Sequence, residues 1–118
     1  MGGPIDHAAA RERLAVLMAQ LEVDLALARE SARTVELDQS SVGRLSRMDA
    51  LQQQAMARAS LQRLTVMKRR MTAALDRVAA GTYGRCCECG GPVQPERLAR
   101  DATTLFCAEC QANRETSS

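Results

Sequence analysis

At 118 residues and a formal net charge of +2, the chain has room for one modest domain and carries no global charge that would predict nucleic-acid binding. Tyr83 and Phe106 are its only aromatic residues, which excludes a large aromatic-rich core. Ala, Leu, Met and Val among many Arg, Gln and Glu favour long helices packed along a narrow seam over a sandwich or a doubly wound sheet.

No apolar run reaches bilayer length, and Met1-Gly2-Gly3-Pro4 lacks the basic and apolar regions of a secretory signal. The expectation is a cytoplasmic protein with no membrane association. In that reducing compartment the five cysteines read as metal ligands plus one spare thiol rather than as disulfides.

The first helix is predicted to enter at Ile5-Asp6, with Asp6 capping free backbone amides and Ile5 placed for an apolar staple. His7, the only histidine, reads as a solvated residue beside the terminus. Leu14, Met18, Leu21, Leu25, Ala28, Ala32 and Val35 then recur by fours and threes, a heptad seam that needs a partner helix. The stripe ends at Glu36-Leu37. Asp38-Gln39-Ser40-Ser41 supplies capping and turn chemistry, and Gly43 weakens the first turn of the next helix.

A second periodic stretch is predicted from about residue 41 to residue 80, stopped by Gly81. At about 1.5 Å per residue such a rod is roughly 60 Å long. Its lower half carries Ala57, Leu61, Leu64, Met71, Leu75 and Val78 in heptad register, with Lys68 in one seam position. The upper half drifts to Leu45, Met48, Gln52 and Ala55, read as a stutter in the supercoil. Folding about residues 38–41 sets Leu14 near Leu64 and Leu21 near Ala57. A monomeric antiparallel hairpin is preferred over a dimer burying the same seams, because the turn chemistry sits where a hairpin needs it.

After Gly81 the composition changes. Cys86-Cys87-Glu88-Cys89 and Cys107-Ala108-Glu109-Cys110 are two knuckles at zinc-binding spacing, with Cys86, Cys89, Cys107 and Cys110 as the ligand set. Glycines beside the first knuckle permit its tight turns. Tyr83, Val93, Leu98, Leu105 and Phe106 can shield the site, and residues 108–115 read as a short closing helix. Four thiolates leave no open position, so one structural Zn2+ is expected, and no other constellation suggests catalysis. Cys87, between ligands, is a bystander thiol or a redox-sensitive one. The fold class is therefore mainly α: a long antiparallel coiled-coil hairpin over residues 1–80, with its tip near 37–50, then a four-cysteine zinc module with a short C-terminal helix over residues 81–118. Lys68, Arg69 and Arg70 with Arg63 and Arg77 make a basic band read as a solvated face.

Ala74-Leu75-Asp76-Arg77-Val78, Gly81-Thr82-Tyr83-Gly84, the two knuckles with Cys89-Gly90, and Arg97-Leu98 resemble the DksA/TraR family of bacterial transcription factors. The resemblance implies a regulator that binds RNA polymerase directly and inserts its coiled-coil tip into the secondary channel to modulate initiation, without sequence-specific DNA binding. The tip region implied here includes Asp38, Ser41, Arg44, Arg47, Asp49 and Ala50. The family's DxxDxA is absent: Asp38 keeps the first acid, while Ser41 and Gly43 stand where Asp and Ala belong, and Asp49-Ala50 is a rival acidic pair. The family's alarmone pocket uses a basic residue that Arg70 matches. It also uses an Arg and a Lys whose positions hold Asp101 and Gln111 here, so with Arg100 as partial compensation a weak or absent ppGpp response is expected. The competing classes are a DNA-binding zinc module, disfavoured by Glu96 and Asp101 in the finger loop, and a redox-sensing adaptor built on Cys87.

Overall fold

The computed structural model describes residues 5–41 and 47–117; side chains at 36–47 and after 116 lie outside the described residues. Four helices run in chain order: α1 (His7–Ser41), α2 (Arg47–Ala80), α3 (Pro95–Arg100) and α4 (Ala108–Ser117). Among the described residues there is no strand, and the one β-bridge joins Arg85 to Pro92. Among the described residues no helix is long and apolar enough to cross a membrane.

α1 starts as its sequence dictates. Asp6 Oδ1 accepts the amides of Ala8 and Ala9 at 3.1 Å each, satisfying donors that the first turn cannot pair. The helix then buries Leu14, Leu21 and Leu25 and half-buries Met18, Ala28, Ala32 and Val35, which is the expected seam. It differs at its end. Asp38 to Ser41 remain helical and α2 begins only at Arg47, so the turn falls beyond residues 38–41. Polar residues in helical spacing tolerate another turn, and the first strong helix-weakening residue is Gly43.

α2 keeps a single register along its whole length. Ala50, Gln54, Ala57, Leu61, Leu64, Lys68, Met71, Leu75 and Val78 form its less exposed face, while Met48 is 80% and Leu51 59% exposed. The stutter expected from Leu45, Met48, Gln52 and Ala55 is absent over the described positions. An uninterrupted helix facing small residues holds one phase, even where that phase puts Gln54 inside and methionine outside. Leu14 belongs to the compact unit that holds Met71, Ala74 and Val78, and Leu64 to the unit of residues 17–69.

Two compact units result. One comprises residues 17–69, the greater part of the hairpin, with Leu21 and Leu25 buried. The other combines residues 1–16 with residues 70–118. In this second unit Leu14, Met71, Ala74 and Val78 share a core with Tyr83, Val93, Leu98 and Ala102. Gly81, at φ 77°, ends α2: Gly81 N donates to Val78 O and Thr82 N to Arg77 O, the bond pair of a Schellman cap. Gly84, at φ 83°, is a second position that favours glycine through its backbone conformation, and the Ile5 side chain packs close over it. Ile5 thus packs on the finger loop.

Arg13 reaches from α1 to the last turn of α3, donating to Leu98 O and Ala99 O at 2.9 Å each. A guanidinium there satisfies carbonyls that α3 cannot pair internally and complements the negative end of its dipole. α3 is an addition to the helices expected from periodicity, although Pro95 at its first position and Glu96 in its first turn are helix-start signals.

Candidate metal centre

Cys86, Cys89, Cys107 and Cys110 bring their sulfurs within 4.8 Å of one another. The Cys89 and Cys107 sulfurs are 3.9 Å apart. A tetrahedron of Zn–S bonds about 2.3 Å long needs sulfurs roughly 3.8 Å apart, so the donor set fits one zinc ion.

Local sequence explains the convergence. In the first knuckle Gly90 N donates to Cys86 O at 3.0 Å and Cys86 N to Gly91 O at 2.7 Å, closing the turn. That turn aims Glu88 N at Cys86 Sγ and Gly91 N at Cys89 Sγ, both at 3.4 Å. In the second knuckle Cys107 immediately precedes α4, and Cys110 N approaches Cys107 Sγ at 3.4 Å. Gln94 Oε1 accepts Ala108 N at 3.1 Å, tying the inter-knuckle loop to the start of α4. Cys87 N donates to Leu105 O at 2.8 Å and so joins the two knuckles through backbone.

The same amides control charge. The Cys89 amide is foremost in holding the Cys86 thiol down to about 6; burial opposes it, and the Cys107 and Glu88 amides add to it. The Gly91 amide pulls on Cys89, yet that thiol stands above its usual value because the Cys86 sulfur, burial and the Cys107 sulfur outweigh it. Cys110 is pushed far up, first by Cys107 and then by Cys86. Four sulfurs this close ionise together only around a cation, which is the behaviour of a metal site.

Cys87 stays outside this cluster, exposed, with its sulfur accepting Arg77 Nη1 at 2.8 Å. Arg77 also donates to Thr82 O and Arg85 O, so it clasps the end of α2 to the finger instead of contributing to a solvated band. Arg114 on α4 pairs with Glu88 at 3.5 Å and lies 4.3 Å from the centre of the Phe106 ring.

The remaining expected residues divide into two groups. Asp38 and Ser41 belong to the last turn of α1 and Arg47 opens α2, but their side chains lie outside the described residues, as does Arg44 entirely. Asp49 is exposed in the first turn of α2 and Ala50 is half-buried on the seam face. Arg70 donates to Asp101 Oδ2 at 2.9 Å, and Asp101 Oδ1 accepts both the amide and hydroxyl of Thr103. Arg100 is exposed at the end of α3. His7 departs from its reading as solvated: it is half-buried, with Nε2 enclosed and unpaired. A signal for this exists in the sequence, since His7 continues the α1 seam one heptad before Leu14.

Four sulfurs gathered from two amide-lined knuckles, packed on the end of a helical pair, define a structural four-cysteine zinc finger. Residues 81–115 match the family model of the prokaryotic dksA/traR C4-type zinc finger. No curated protein sequence matches the chain. Among solved structures, the fold is similar to that of transcription factor DksA2 from Pseudomonas aeruginosa, with a TM-score of 0.82 at 22% identity, covering 94% of this chain and 84% of that one. The family resemblance read from the knuckles and their flanks is thus matched in the finger, and the mainly helical architecture in the fold.

Proposed function

We propose that the chain is a transcription regulator that binds RNA polymerase directly and presents its hairpin tip to the secondary channel, without catalysis and without sequence-specific DNA recognition. The observation that carries this reading is the combination of a dksA/traR-type finger with a DksA2-like fold spanning 94% of the chain. The chemistry of the finger supports it. A closed four-thiolate shell offers no position for a reacting water, so zinc acts as a cross-link that organises residues around the end of α2. Glu88, Glu96, Asp101 and Glu109 on the finger weigh against a surface that tracks phosphates.

Regulation proceeds as the protein occupies the channel as a monomer in the cytoplasm. Asp38 and Asp49 are rival acids for the contact with the polymerase, with Ser41, Arg44, Arg47 and Ala50 around them. ppGpp has little effect through Arg70, because Asp101 already neutralises that guanidinium at 2.9 Å and would repel the alarmone's phosphates.

Transcription in vitro with purified bacterial RNA polymerase tests the reading. The zinc-loaded parent changes transcript yield to the same extent with and without ppGpp, and either Asp38→Ala or Asp49→Ala removes most of the effect. Equal activity of both variants and parent would discard the tip assignment. A large ppGpp enhancement would discard the neutralised-pocket argument.

A further inference from the structure

The seam of α2 leaves the opposite side of that helix uncovered. Met48, Gln52, Ala55, Ala59, Gln62 and Val66 recur there by fours and threes, and all six are exposed. At about 100° per residue they keep within one stripe, turned away from Ala57, Leu61 and Leu64 on the less exposed face. Met56 borders the stripe and is 65% exposed. A helix washed by solvent on its outer face normally carries charge there, yet Arg58 is the only charged residue from 50 to 62. Helix propensity accounts for alanine and glutamine at exposed sites, but not for two methionines and a valine gathered on one side. Such a face marks a contact.

The order of residues along the stripe says what covers it. Reversed about residue 57 it matches itself: Met48 answers Val66, Gln52 answers Gln62, and Ala55 answers Ala59. An interface between two copies related by a two-fold axis has to be its own complement, whereas a foreign partner imposes no such order. The flanks agree in charge. Laid antiparallel in that register, Asp49 of each copy comes beside Arg63 of the other, and Met56 meets its own image near the axis. The central alanines let the two backbones approach closely. Arg58, on the other flank, faces its own image and is the one like-charge pair in the register.

We infer that the free protein self-associates through this outer stripe of α2, two copies packing antiparallel about Ala55 and Ala59. From Met48 to Val66 the stripe runs roughly 27 Å. One helix pair over that length buries less than the roughly 1,200–2,000 Å² of stable complexes, so the dimer is weak, with a dissociation constant on the order of 100 µM. The pairing does not depend on the polymerase reading, in which the chain acts as a monomer.

Sedimentation velocity of the zinc-loaded full chain, from about 10 µM to about 1 mM under reducing conditions that prevent disulfides through Cys87, tests the inference. The expected result is a reversible monomer–dimer equilibrium. Methionine-methyl NMR over the same range should show Met48 and Met56 shifting with concentration while the buried Met71 stays fixed. Met56→Glu sets two carboxylates at the axis and weakens association at least about tenfold, whereas Arg58→Ala removes the like-charge pair and tightens it about threefold. Both positions are exposed, so circular dichroism should report parent-like helix content in each variant. A chain that stays monomeric throughout, or a dimer as strong in Met56→Glu as in the parent, would overturn the inference; the first outcome leaves the stripe to a partner of another sequence, and the second puts self-association elsewhere on the chain.

Discussion

The unit built on the finger and the unit of residues 17–69 are held together by different physics. In the first, side chains reach across the chain to backbone: Arg13 to Leu98 and Ala99, Tyr83 to Ala102, Arg77 to Thr82 and Arg85, Gln94 to Ala108. In the second, side-chain bonds such as Gln20 to Asp24 and Thr65 to Leu61 span one turn of a helix, and the buried positions among the described residues are Leu21 and Leu25. A metal-centred network tolerates an irregular chain because each loop is pinned separately. A two-helix seam has only its apolar face, so its stability concentrates in a few leucines.

Removing zinc should break this contrast most severely. Chelation, or Cys107→Ser, abolishes the finger's tertiary structure, with a loss on the order of 10 kcal/mol in metal-linked free energy. Hydrogen exchange should then show residues 81–115 unprotected while the amides of residues 17–35 keep part of their protection. Leu25→Ala should do the reverse. It costs about 3 kcal/mol from a site 1% exposed, lowering the melting temperature while zinc stoichiometry stays at one.

Arg13→Ala is an intermediate case, costing about 1 kcal/mol by removing its bonds to the part-buried Leu98 and exposed Ala99 carbonyls; urea denaturation of the zinc-loaded protein measures it. The smallest effect is at Asp101. Burial raises its carboxyl, but the Thr103 hydroxyl and amide and the Arg70 charge together hold it below the ordinary value. A depressed folded value means stability fully present above the unfolded carboxylate range, near pH 4, and lost as pH falls through the folded value. Arg70→Gln should narrow that loss, a change read from carbonyl-carbon NMR titration of Asp101.

Much of this molecule is legible in its residues, for reasons that differ by region. The four ligands follow from spacing, since two CxxC knuckles constrain geometry at short range. The α1 seam from Leu14 to Val35 follows from periodicity. Sequence places the turn too early because Asp38-Gln39-Ser40-Ser41 has capping chemistry, whereas helix continuation depends on what the next turn packs against. The false phase at Met48 and Gln52 arises because exposed methionines and leucines mimic a seam; only the partner helix decides which face is inside. Local pattern misreads His7 and Arg77 alike. His7 lies beside residues 81–85, far away in sequence, and Arg77 is taken up by the Thr82 and Arg85 carbonyls just beyond its own helix, where helical spacing no longer applies. The tip acids Asp38 and Asp49 rest on the family resemblance, whose motif this chain does not keep.

The most direct measurement is binding of purified bacterial RNA polymerase to immobilised chain, zinc-loaded against Cys107→Ser. Saturable binding by the loaded parent and its loss in the variant is the predicted result. No binding by the loaded parent, or equal binding by the zinc-free variant, would contradict a finger-organised polymerase regulator.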